Sequence, residues 1–252
     1  MKTKKVILGG IIFLIGMIGI LSMLTMNIPL PEEAMTILKD RFTEQQIKWL
    51  LLVNPTILLI IAVVIGTLLY KKVNLKVPIL EKIIGVDNDD LIITDIFKHG
   101  ILGGVLSGIL IGLVSLIFSP FLPAEFLELS NSLKPTLATR FLYGGFTEEI
   151  LMRFGLMTLI IWIVAKITSG TKTYVYWIGI VIASIVFALG HFPIAYKVIE
   201  NPTTGLLSYI LIGNTIGGLI FGWLYWKKGL ESAFLAHFFT HVMLVLVEPF
   251  SS

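Results

Sequence analysis

Six side chains in the second half of the sequence could carry acid–base chemistry. Glu148, Glu149 and Arg153 lie in the run Phe146-Thr147-Glu148-Glu149-Ile150-Leu151-Met152-Arg153. His191 ends Phe187-Ala188-Leu189-Gly190-His191, and His237 and His241 frame His237-Phe238-Phe239-Thr240-His241. A carboxylate and imidazoles in a partly dry pocket can take a proton from water and steady the oxyanion of a tetrahedral intermediate. The same residues offer ligands for a divalent metal such as zinc, with Glu148, His191, His237 and His241 as the candidates.

Spacing sharpens this reading. Glu149 and Arg153 are four apart, so a helix puts them on one face where they can pair. Glu148 then points about 100° away around an α-helix, leaving one carboxylate for Arg153 and one for other work. His237 and His241 are one turn apart and share a face. Pro193 follows His191 closely, which predicts that the helix stops or kinks there. All of these residues sit in apolar surroundings. One ionisable group at mid-bilayer costs about 2.5–3.5 kcal/mol on insertion scales. A structural ion pair would explain Glu149 and Arg153 but would leave Glu148 without a purpose.

Other hydrolase designs are excluded. There is no cysteine, hence no thiol nucleophile, disulfide or cysteine metal site. His-Glu-x-x-His is absent, as is a Gly-x-Gly-Asp signature within a span, and no phosphate loop or dinucleotide fingerprint occurs. Ser107 is a poor nucleophile candidate because Gly108 and its neighbours form a packing face.

The elements that must position these residues are transmembrane helices. The chain is 56% hydrophobic and 14% charged, against roughly 25% charged for a soluble domain, so lipid is the expected solvent. The predicted fold class is an all-α polytopic bundle. Its seven spans run roughly over 6–26, 48–70, 100–119, 137–165, 174–192, 204–226 and 230–248. An eighth would require the segment 81–98, which mixes Asp87, Asp89, Asp90 and Asp95 with Ile and Leu and reads better as an interfacial helix or loop. The fourth span is long enough for a tilted or broken helix. The first follows Lys2, Lys4 and Lys5 without a cleavage-type site, and is read as retained rather than as a signal peptide.

Lysines set the orientation. Lys71, Lys72, Lys76, Lys82, Lys98, Lys166, Lys172, Lys227 and Lys228 join the N-terminal lysines on one side, with fewer basic residues, such as Lys134 and Arg140, on the other. That predicts a cytoplasmic N-terminus and an integral multi-pass protein of the plasma membrane. Basic charge distributed this way marks membrane orientation, not nucleic-acid binding. Glycines spaced by four (Gly104, Gly108, Gly112; Gly213 and Gly217; Gly218 and Gly222) predict faces where neighbouring backbones approach closely. The chain divides into N-terminal helices and an inner loop (1–135) and helices bearing the chemistry (136–252), within one membrane domain. His99, beside Lys98, reads as interfacial.

Together the motifs Glu148-Glu149-x-x-x-Arg153, Phe187-x-x-x-His191 and His237-x-x-x-His241 resemble, in order and spacing, those of the CAAX-protease and bacteriocin-processing family, the Abi or type II CAAX prenyl endopeptidases. The resemblance covers roughly residues 136–245. It implies an intramembrane endopeptidase, often described as a metalloprotease, in which Glu148 activates water and His191 shares it. Glu149 and Arg153 would support the site, and His237 would stabilise the oxyanion with the residue four further on. That last residue is usually Asn in the family and is His241 here. Asn214 is a possible extra donor. The implied partners are the bilayer and a peptide or protein substrate, lipidated or a leader or bacteriocin peptide. A metal would be zinc-like or absent.

The orientation places Glu148 about 10 residues, or about 15 Å, from the outer end of its span. Trimming of a prenylated tail calls instead for a site that opens to the cytoplasm. Two other functions use the same residue types. A proton-coupled transporter would show repeated halves, which the sequence lacks. A non-catalytic bacteriocin-immunity membrane protein would tolerate loss of the Glu148 carboxylate.

Overall fold

The computed structural model describes residues 2–26, 30, 32–86, 92–123, 125–126 and 135–247. Seven helices are long and apolar enough to cross a membrane: α1 Thr3–Thr25, α2 Glu44–Val73, α3 Ile93–Phe121, α4 Thr139–Ile167, α5 Thr173–Lys197, α6 Thr204–Lys228 and α7 Leu230–Val247. The described residues contain no strand. The chain is an all-helical, integral multi-pass membrane protein.

Boundaries follow local chemistry. Thr43 opens α2 with a capping box, its hydroxyl accepting from the Gln46 amide while the Gln46 side chain accepts from the Thr43 amide at 2.9 Å. Thr203 caps α6 by accepting from the Leu206 amide. Gly229 makes the turn into α7 at φ 102°, a conformation costly for residues with a Cβ. α5 stops its first helix at Leu189, turns through Gly190 and His191, and resumes as Phe192–Val198 with Pro193 in the first turn. The break predicted from Pro193 is where the sequence places it.

One predicted boundary is corrected. Residues 93–98, expected in a separate interfacial helix or loop, are the first two turns of α3. Their charges look wrong for a span, yet Asp95 receives Lys228 at 2.7 Å and the His99 ring at 3.0 Å, so the helix continues through them. Asp87, Asp89, Asp90 and Lys134 lie outside the described residues.

α4 is the axis of the packing. Its first half lies between α1 and α7, and its second half packs on α2 and α5. α6 is wrapped by α3, α5 and α7. Glycine faces set these approaches only in part as predicted. Gly104 and Gly108 carry the α3–α7 contact with Gly100, where an added Cβ would meet Leu235 at 2.6 Å, but Gly112 faces open space. Gly218 and Gly222 seat α6 on Ser184 and Ile180 of α5. Gly213 has only Ile111 nearby, at 3.9 Å. The last face is therefore loose.

The fourth span, predicted to be tilted or broken, uses a third solution. Thr139–Glu148 and Ile150–Met157 are wound as π-helix before Thr158–Ile167 returns to α-helix. Such winding bonds residue i to i+5 and is otherwise rare and concentrated at functional sites. Here it coincides with the Glu-Glu-Arg motif.

Candidate active site

Glu149 sits at the junction between the two π-wound stretches, fully buried. One carboxylate oxygen lies 3.2 Å from Arg153 Nε. The other accepts a hydrogen bond from His237 Nδ1 at 2.9 Å, joining α4 to α7. A carboxylate only accepts, so His237 must carry hydrogen on Nδ1 and its Nε2 is left for other work. That Nε2 lies 3.8 Å from Glu148 Oε2. The separation exceeds a direct hydrogen bond and suits a single bridging water. Glu148 is about one-fifth exposed, against none for Glu149, and makes no hydrogen bond among the described residues. One acid is committed and one is held in reserve.

Two aromatic rings hold the cluster. Phe187 packs edge-on to His191 at 4.8 Å and to His237 at 6.0 Å, and Phe221 of α6 stacks on His237 at 4.7 Å. The Arg153 guanidinium lies 5.0 Å from the Phe187 ring centre and 5.5 Å from that of Phe221, within cation–π range. Its two terminal nitrogens are buried without a hydrogen-bond partner among the described residues. His191 donates from Nδ1 to the Phe187 carbonyl at 2.9 Å, which orients the ring and leaves Nε2 as the acceptor of a neutral imidazole. His241 stacks on His237 at 5.0 Å between centroids. It can do so because position 144 is glycine: a Cβ there would stand 2.6 Å from His241 Nε2.

The fold thus brings Glu148, Glu149, Arg153, His237 and His241 together on α4 and α7. His191 joins them through Phe187, from the broken end of α5. The pairing of Glu149 with Arg153 is as expected, whereas its bond to His237 has no signal in the sequence. Asn214 spends its amide on the Ile210 carbonyl of its own helix, at 2.8 Å. Phe221 and Gly144 are neighbours of the histidines that motif reading missed. The one hint was Gly144-Gly145 placed a turn before the acidic pair.

As a metal centre the residues fit poorly. Among the described residues no three of His, Asp or Glu gather closely enough to hold an ion, and Glu149 is already engaged by His237 and the Arg153 charge.

No curated protein and no solved structure matches the chain significantly. Residues 130–243 match the family model described as Type II CAAX prenyl endopeptidase Rce1-like. The matched segment, a little under half of the chain, contains Glu148, Glu149, Arg153, His191, His237 and His241.

Proposed function

We propose that the chain is an intramembrane endopeptidase that hydrolyses a peptide bond with water activated between Glu148 and the histidines. The observation that supports this most is the division of labour between adjacent carboxylates. Glu149 neutralises Arg153 and orients His237, while Glu148 stays unpaired, partly open and 3.8 Å from His237 Nε2.

Glu148 takes a proton from the water, and His191 Nε2 accepts the water's other hydrogen and aims its oxygen. The hydroxide adds to the scissile carbonyl carbon, moving the carbonyl pair onto oxygen. The proton that Glu148 takes is shared with His237 Nε2, 3.8 Å away, and the Nε2–H so formed, on a ring held by Glu149 at Nδ1, faces that oxyanion. His241 takes the place of the usual Asn as a second donor. Collapse breaks the C–N bond, and Glu148 returns its proton to the leaving amine. The substrate is a peptide reaching the site from the bilayer, either the lipidated tail of a protein or a leader-type peptide. In this reading residues 136–252 carry the chemistry and α1 and α2 buttress α4.

Purified protein incubated with prenylated and leader-type peptides tests this. Glu148→Gln is expected to lower turnover by about 10²–10⁴-fold, the range for loss of a general base, and His191→Ala comparably, with both variants folded and inserted. Undiminished cleavage by either would reject the assigned role. A transporter or an immunity protein would show no cleavage in the parent chain.

A further inference from the structure

We propose that the crevice between α3, α5 and α6, at the Lys-rich end of the bundle, is a binding site for one anionic phospholipid. The cavity holds about 400 Å³ and is lined by His99, Leu102, Leu106, Trp177, Trp223 and Leu224, among others. None of the residues lining it belongs to the candidate active site.

Three observations identify the occupant. The walls are apolar and open to lipid: Leu102, Leu106, Trp177 and Trp223 are all exposed. Left bare in a bilayer, such a crevice fills with an acyl chain. From His99 to Leu106 it runs seven residues along α3, about 10 Å at helical rise, so it receives a chain lengthwise from the interface inward. Its mouth is at headgroup level. Trp177 packs on Trp226 at 6.3 Å, Tyr176 stacks on Trp226 at 4.7 Å, and Lys227 lies 3.6 Å from the Trp226 ring centre. Aromatic residues collect at this depth in membrane proteins.

Among the described residues the charge at the mouth is positive. Asp95 is answered by Lys228 at 2.7 Å and by His99. Lys98 and Lys227, beside these residues in sequence, are exposed and have no carboxylate partner among the described residues. Unbalanced lysines above an apolar crevice between helices recognise a phosphate headgroup, so a phosphodiester carrying net negative charge is favoured over a zwitterionic one.

The test uses the full chain, delipidated in detergent, exposed to vesicles of equal parts phosphatidylglycerol and phosphatidylcholine, and read by native mass spectrometry. One phosphatidylglycerol per chain should be retained in preference to phosphatidylcholine. Leu102→Trp with Leu106→Trp fills the crevice from its lipid-facing side and should abolish retention. Lys98→Gln with Lys227→Gln, both at the surface, should lower the preference by on the order of tenfold, and decides the matter if the tryptophan variant does not fold. Equal retention of both lipids, or retention unchanged in the lysine variant, overturns the proposal. So does displacement of the lipid by a farnesylated peptide, which would make the crevice a substrate-tail site.

Discussion

Two buried acidic centres sit at different depths of this bundle, and they are built on different principles. At the Lys-rich end Glu81 is fully buried and fully answered. Tyr70 donates at 2.8 Å, Lys71 at 2.6 Å and the Val77 amide at 3.3 Å. Next to it Glu231 of α7 accepts from the Leu80 amide at 3.0 Å, while the Leu230 amide donates to the Lys76 carbonyl. These bonds staple the connection after α2 to the start of α7. In the other centre, on α4, Glu149 meets Arg153 and His237. Yet one of its oxygens and both terminal nitrogens of Arg153 lack a hydrogen-bond partner among the described residues, against the one orphan oxygen of Glu231 in the first centre. Glu148 faces only His237, at 3.8 Å. Buried polar groups in folded proteins are almost always satisfied, and a partly satisfied network is unfavourable to maintain. A buried acid surrounded by donors is a strut. An acid left open beside an oriented histidine is the one on which the proposed hydrolysis draws.

The most severe way to break this comparison is Glu149→Gln. It should convert the second centre into one that lacks even its strut, because Arg153 stays fully buried without a counter-charge and His237 loses its orienting acceptor. Removing one partner of a buried pair costs about 3–5 kcal/mol, so thermal unfolding in detergent should come markedly earlier. Cleavage per folded molecule should also fall, by at least an order of magnitude. A loss of stability with full activity in the folded fraction would reduce the bridge to a structural role.

The contrast also explains what could be read from the chain. The seven spans were legible because lipid imposes length and apolarity on every crossing segment. The start of α3 was not, since Asp95 suits an interfacial helix or loop until Lys228, 133 positions away, is seen to answer it. The six chemical side chains were legible as rare charges in apolar runs. Their bonding was not: Glu149 and His237 are 88 positions apart, and helical spacing predicts only neighbours on one helix. Nor did anything in Thr139–Met157 announce π-winding, which lacks a residue signature comparable to a cap or a proline.

Phe221 and Gly144 sharpen the comparison on the side of the open centre. Phe221→Leu removes the ring stacked on His237 and beside Arg153. Aromatic pairs contribute about 0.5–1.5 kcal/mol beyond burial, so a fall in kcat of about two- to tenfold is expected. Restoration by Phe221→Tyr or Phe221→Trp would separate stacking from cavity effects. Gly144→Ala presses on the end of the His241 ring, which can swing away, so stability should hold within about 1 kcal/mol while turnover drops several-fold. Adding His241→Asn to Gly144→Ala relieves the pressure with the residue usual in the family. Recovery of turnover in the double variant would show that a hydrogen-bond donor, not an imidazole, is needed at 241.

The smallest effect on turnover should come from Glu81, although its burial equals that of Glu149. Tyr70 and Lys71 meet one oxygen of Glu81 and the Val77 amide meets the other. Glu81→Gln therefore keeps an acceptor for only one side, sets an amide N–H against a donor on the other, and loses the charge that answers Lys71. Leaving one buried polar group unsatisfied costs about 1–3 kcal/mol. Lys71 is 40% exposed and can turn to the lipid headgroups, which keeps the loss towards the low end of that range. The unfolding midpoint should therefore fall, while kcat and KM of the folded fraction stay at parental values, because Glu81 lies at the other end of the bundle from Glu148. If turnover fell in step with that of the Glu149 variant, the two centres would be coupled through α7, which carries both Glu231 and His237, and the division into strut and reactive acid would have to be given up.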